Sequence, residues 1–188
     1  MPSFDYDLRY LQAGLASLEA YLLSKELYWT LHLTVPVGNP PYPPLTLDSL
    51  LLARARVSGY SLPVIQEGRF SSLCTQMDAI HNRWRVAWEQ KAGRSFRSRL
   101  NLWRDFLEEY GANPGEHADR YRYESRLRVM LQLLKGDAHP LAEAESDLLA
   151  HLDSVLKSCL VPGPFLWDAE LQKAFPAETY WYLYGSLP

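Results

Sequence analysis

The sequence predicts an all-α fold, an antiparallel helical bundle of about five main helices with a proline-rich loop and an aromatic C-terminal segment packed on it. Three observations carry that expectation. Leucines and aromatics recur every three or four positions through most of the 188 residues, the spacing that lines one face of a helix. Leucine outweighs valine and isoleucine, as helix propensity prefers. No run alternates apolar and polar residues between hairpin turns, as strands require.

The elements follow in order. Tyr10, Leu11, Leu15, Leu18 and Leu22 share a face, which predicts a first helix over about Phe4 to Leu23. Ser24 suits an N-cap for a short turn, Lys25 to Trp29. Val35 to Pro44 holds five prolines in ten residues, which remove amide donors and clash with a preceding turn. The stretch 35–46 therefore reads as an extended, polyproline-like loop over the body. A second helix begins near Thr46 or Asp48 and ends at Ser58-Gly59.

From Val64 to Tyr110 the apolar pattern is nearly continuous: Phe70, Leu73, Met77, Ile80, Trp84 and Ala87, flanked by Cys74, His81 and Trp88, then Phe96, Leu100, Trp103 and Leu107. It predicts one long helix or two in succession, with Gly93 as the break or kink. Gly111-Ala-Asn-Pro-Gly115 ends it. A further helix spans His117 to Leu134 with Tyr123, Leu127, Met130, Leu131 and Leu134 inward, and Gly136 closes it. Another spans Leu141 to Cys159 with Leu148, Leu152, Val155 and Cys159 inward, stopped by Val161-Pro-Gly-Pro164. Short helices are expected after Asp168 and near Pro176. Residues 1–188 form one domain, whose C-terminal aromatic segment is 162–188.

Composition narrows the function classes. The hydrophobic fraction of 47% and charged fraction of 22% are those of a globular protein. The longest apolar runs, such as Leu50 to Ala53, are too short to span a bilayer. Asp5 and Asp7 stand where a secretory signal carries basic residues, so a cytoplasmic protein with no membrane partner is expected. Cys74 and Cys159 sit in apolar helical patterns and read as buried free thiols.

Net charge is −3 but uneven. Residues 81–135 carry twelve Lys and Arg against seven Asp and Glu, and residues 136–188 carry two against eight. Arg83, Arg94, Arg97 and Arg104 fall within about 80° of one face on a helix running straight through Gly93. Arg122 and Arg126, with Arg120 and Arg128, extend the basic character to the next helix. Arginine suits phosphates and carboxylates, so this face is a candidate nucleic-acid surface. A solvated surface paired with Glu108, Glu109, Glu124 and the acidic tail helix explains the same residues. On a straight helix, Arg85 and Arg99 point toward the apolar side, which requires an internal partner, a phase shift or an open groove.

Trp29, Tyr42, Trp167, Tyr180, Trp181 and Tyr184 fall in loops or short terminal elements. They form a candidate partner-binding surface unless the proline-rich loop covers them. Asp78 with His81, and Asp147 with His151, place a carboxylate and an imidazole on one helix face, but without further converging ligands no metal site is predicted. Cys74 and His81 are two turns apart, too far for a nucleophile and its base. No cofactor motif is present. The sequence thus predicts first a non-enzymatic helical interaction or assembly protein, taking a protein partner or further copies of itself. A nucleic-acid-binding protein stands second. A helical-bundle enzyme with a metal or small-molecule site stands third.

Overall fold

Helix α1 (Phe4–Leu23) opens on Ser3, whose hydroxyl accepts the Tyr6 amide at 3.3 Å. In the computed structural model, which describes residues 3–138 and 142–188, six further helices follow among those residues. They are α2 (Leu47–Gly59), α3 (Val64–Arg83), α4 (Arg85–Ala112), the single-turn α5 (Pro114–His117), α6 (Tyr121–Leu134) and α7 (Glu143–Cys159). Helix α1 packs on α2 and α3, α2 on α6, and α4 on both α6 and α7. The expected start of the last long helix at Leu141 lies outside the described residues; α7 begins at Glu143.

The long apolar stretch is two helices, but the break falls at Trp84 and not at Gly93. Trp84 has φ −114° and ψ 34°, off the helical values. Beyond the break Trp88, Ala92, Phe96, Leu100 and Trp103 are all buried on α4, and before it Met77 and Ile80 are the buried residues of α3. Gly93 lies within α4, where an added Cβ would meet only the Arg97 guanidinium at 3.5 Å.

Two inward faces differ from expectation. Helix α7 buries Leu149, Leu152 and Leu156, while Val155 is exposed. Tyr123 on α6 is 63% exposed. In each case the neighbouring leucine stripe, not the single apolar residue beside it, faces the core. Cys74 and Cys159 are free thiols, half-buried and not sealed in the core.

The C-terminal segment contains a short ribbon that the sequence did not announce. Strand β1 (Val161–Phe165) pairs antiparallel with β2 (Tyr184–Ser186), with a bulge between Pro162 and Phe165. Prolines are tolerated because the pair is all edge. Gly185 is required here: a Cβ on it would lie 2.5 Å from the Val161 carbonyl oxygen. Between the strands are two 3-10 turns, Ala169–Ala174 and Trp181–Leu183, and no helix starts at Pro176. Leu171, Phe175, Tyr182 and Leu183 enter the core.

Three polar anchors close the bundle. Arg128 of α6 clasps Asp153 of α7 through Nε (2.7 Å) and Nη2 (2.9 Å). Lys91 of α4 donates to the Ser24 carbonyl (3.1 Å) and the Glu26 carbonyl, and its ammonium lies 4.3 Å from the Tyr21 ring centroid. The Pro36–Asn39 turn is closed by an Asn39 amide bond to the Pro36 carbonyl (3.2 Å), with Gly38 at φ +80°, where glycine is favoured.

The phase of α7 is open to direct test. Leu156→Ala is expected to cost about 2–5 kcal/mol in urea unfolding. Val155→Ala, one position away, is expected to stay within about 0.5 kcal/mol of wild type. The reverse order would mean that the helix is rotated.

Candidate functional site

Between α2, α6 and the proline-rich loop lies a cleft of about 860 Å³, at the upper end of the range of small-molecule sites. Its floor is α2, where Ser49, Leu52 and Arg56 follow one another at helical spacing. The facing wall is α6, through Tyr123, Arg126, Leu127 and Met130. Gly38, Pro40, Pro41 and Pro43 form the third side. Tyr6 and Tyr10 of α1 hold that loop in place: their hydroxyls donate to the Pro41 carbonyl (3.1 Å) and the Pro44 carbonyl (3.0 Å). Tyr42 stacks on Tyr6 at 4.2 Å and on Tyr10 at 5.9 Å.

Four arginines line this cleft, Arg56, Arg99, Arg122 and Arg126, against a single carboxylate, Asp119. The inner two are each backed by a carboxylate that does not line the cleft. Arg56 is bidentate on Asp7, Nε to Oδ2 at 2.9 Å and Nη2 to Oδ1 at 2.5 Å. Arg99 donates from Nε to Asp48 Oδ2 at 2.5 Å and from Nη2 to the Thr46 hydroxyl at 3.3 Å. Asp7 and Asp48 are both 0% exposed. Burial outweighs the neighbouring Arg56 and holds the Asp7 carboxyl above its ordinary value. Among the described residues, neither Arg56 nor Arg99 uses Nη1 in a hydrogen bond. Each guanidinium is thus fixed from behind and keeps donors for the cleft.

The outer pair is looser. Arg122 meets Asp168 at 3.0 Å. Arg126 meets Glu124 at 3.0 Å and lies 3.7 Å from the centroid of the exposed Tyr123 ring. The exposed Arg122–Asp168 pair is weak and can exchange partners, while the Arg126–Glu124 pair is half-buried. Among the described residues, no histidine, cysteine or glutamate lines the cleft.

The six arginines singled out in the sequence do not gather into one stripe. Arg83 belongs to α3, across the Trp84 break, and reaches Glu19 at 3.6 Å. Arg94 donates to the Lys25 carbonyl (2.7 Å). Arg97 pairs with Glu145 of α7 (3.0 Å), and Arg104 with Asp105 (2.9 Å) and Glu108 (3.6 Å). Only Arg122 and Arg126 of that set reach the cleft. Of the two out-of-phase arginines, Arg85 turns outward to Glu89 (2.9 Å), and Arg99 both pairs internally and faces the groove.

The aromatic set is largely absorbed by the fold. Trp167 is buried, with its indole donating to the Arg122 carbonyl and the Ser125 hydroxyl, both at 3.1 Å. Trp29 pairs in a bridge with Leu45. Tyr180 packs edge-on to Phe175, Trp181 lies under Lys157, and the Tyr184 hydroxyl donates to the Phe175 carbonyl (2.8 Å). Trp29, Tyr42, Tyr180, Trp181 and Tyr184 are all half-buried. Among the described residues, no three His, Cys, Asp or Glu side chains gather as metal ligands would. Asp78 is engaged with Arg54 (2.7 Å), and His81 stacks on Trp88 near Asp137.

Arg56 was missed by sequence reasoning, although a signal existed. Asp7 is four residues before Leu11, and Arg56 is four after Leu52, so each occupies an apolar-stripe position on its helix. Two opposite charges on two buried stripes mark an internal pair. No known protein-family model, no curated protein and no solved structure matches the chain.

The tyrosines that hold the loops make the fold sensitive to alkali. Burial raises Tyr6 and Tyr21 to about 12 and pushes Tyr10, Tyr121 and Tyr182 up further. Each donates its hydroxyl hydrogen to a backbone carbonyl, which tyrosinate cannot do. With native values above the unfolded value of about 10, the folded state holds more protons in this window. Their stabilisation is complete below pH 10 and is lost as pH rises through 12. Thermal unfolding is expected to show Tm falling steeply above pH 10, with five of the twelve tyrosines ionising only together with unfolding. Ionisation of all twelve in the folded protein would contradict the burial of these hydroxyls.

Proposed function

We propose that the protein is a non-catalytic binding protein that takes an organic anion in the cleft between α2, α6 and the proline-rich loop. One observation carries this reading. Two guanidinium groups, the buried Arg56 and the half-buried Arg99, are oriented by carboxylates behind them and face a common groove with unused N–H donors. Such donors accept an oxyanion without first having to be ordered. Arg122 at the rim adds charge that a bound anion can recruit from its exposed partner Asp168, and the half-buried Arg126 lines the same cleft. Leu52, Leu127 and Met130 supply apolar surface for the rest of the ligand. Two free thiols support a reducing, cytoplasmic setting, and no helix among the described residues is long and apolar enough to cross a membrane.

A second reading, an assembly protein that binds further copies of itself, is favoured by α3. Only Met77 and Ile80 of its twenty residues are buried, and Val64 and Ile65 are 84% and 75% exposed. Sedimentation at high concentration discriminates: a dimer supports it, and a monomer removes it. The nucleic-acid reading draws less support, since the six arginines do not form one stripe: Arg83, Arg94, Arg97 and Arg104 meet separate acceptors and only Arg122 and Arg126 share the cleft. Salt-sensitive binding of DNA or RNA would restore it.

The cleft is tested by thermal shift against a panel of mono- and dicarboxylates and organic phosphates. Binding raises Tm by mass action. Arg122→Gln with Arg126→Gln leaves both buried pairs intact and is expected to weaken the best anion about 10-fold or more. If no anion raises the Tm of the wild-type protein, the reading fails.

A further inference from the structure

The arginines of the cleft are arranged by the helix that forms its floor. Arg99 anchors at the start of α2, on Asp48 and Thr46, and Thr46 in turn donates to the Ser49 hydroxyl at 2.8 Å. Arg56 lies near the other end of α2. Asp48 and Arg56 are eight positions apart, about 12 Å of helix. Arg122 belongs to the Arg56 end: its partner Asp168 acts electrostatically on Tyr60, the residue that follows α2. Leu52 occupies the floor between the two ends, and on the facing wall Arg126 and Leu127 follow Arg122 by about one turn of α6. The cleft therefore has donors at both ends, with Leu52 and Leu127 between them and Arg126 on the wall above.

Resting on the anion-binding reading, we infer that the ligand is an elongated dianion, with two terminal oxyanion groups about 12 Å apart joined by an apolar body. A single anionic group satisfies one end and leaves the other guanidinium facing water. A short dianion cannot reach both. The shared chemistry is a carboxylate or phosphoryl group at each end of a chain or flat ring system.

Titration calorimetry on the full chain tests this with the α,ω-dicarboxylates from succinate to dodecanedioate, each beside the monocarboxylate of equal length. α,ω-Bisphosphonates form a second arm that separates the two head groups. Affinity is expected to peak near sebacate, to fall on both sides of it, and to exceed that of the matched monoacid about 10-fold or more. Arg122→Gln, at one end of the cleft, is expected to narrow the gap between diacid and monoacid. Monoacids binding as tightly as diacids, or affinity indifferent to length, would overturn the two-ended ligand while leaving an anion-binding cleft. Binding by no carboxylate or bisphosphonate would overturn both.

Discussion

Two aspartates with no access to solvent, Asp7 and Asp48, decide where α1, α2 and α4 meet. A buried carboxylate is tolerated only when a cation and hydrogen-bond donors reach it. Asp7 thus draws Arg56 of α2 against α1, and Asp48 draws Arg99 of α4 against the start of α2. Rotating any of these helices would part a buried carboxylate from its guanidinium, and an unpaired charge in the core is costly. With both pairs made, the guanidinium edges emerge on the side where α2 does not close fully against α6. The cleft is a consequence of how the pairs are satisfied.

The same logic accounts for the uneven charge of the chain. The basic middle and the acidic tail meet within the molecule: Arg97 with Glu145, Arg128 with Asp153, and Arg122 with Asp168. The first two connect α4 and α6 to α7, an element that otherwise rests on Leu149, Leu152 and Leu156. Pairs of this kind contribute little as isolated surface contacts. Arg128, buried beneath the Tyr182 ring at 4.7 Å, is the exception, and it selects the seat of α7 more than it stabilises it.

The helices were legible because their signal is repetitive: a stripe of leucines survives one misassigned residue. The break between α3 and α4 was misplaced because Gly93 was weighed by its propensity, while the segment Arg83 to Val86 holds no glycine or proline to mark the turn at Trp84. On α6 and α7 one residue each was turned the wrong way, while Leu127, Met130, Leu131, Leu134 and Leu152 are buried as expected. Tyr123 and Val155 border the true stripe, and apolarity alone does not tell a border from a centre. The β1–β2 ribbon was invisible, since a Val-Pro-Gly-Pro segment carries no strand periodicity and its partner lies twenty residues away. The arginines could be counted but not placed. Arg99 betrayed itself by pointing the wrong way on a helical wheel, whereas Arg56 required noticing that Asp7 lies on a leucine stripe of a different helix.

An arginine already paired with a carboxylate would seem a poor receptor for another anion, and the balance of energies decides otherwise. A bare guanidinium at the depth of Arg56 would shift its surroundings or draw in water, because the cost of burying an unpaired charge exceeds what a weak ligand returns on binding. Asp7 removes that cost in advance and fixes the plane of the group. The incoming oxyanion then faces an ordered N–H edge, and the repulsion from Asp7 is softened by the distance across the guanidinium. At an effective dielectric constant near 20, two like charges about 6 Å apart repel by roughly 3 kcal/mol. The nearer guanidinium, with its charge-assisted hydrogen bonds of about 1.5–3 kcal/mol each, more than offsets this. The affinity of such a site is therefore modest at each end, and useful binding requires that both ends be engaged by one molecule. This is the physical reason for a long cleft with paired arginines at its extremes, where a small pocket with a single free arginine would favour smaller anions.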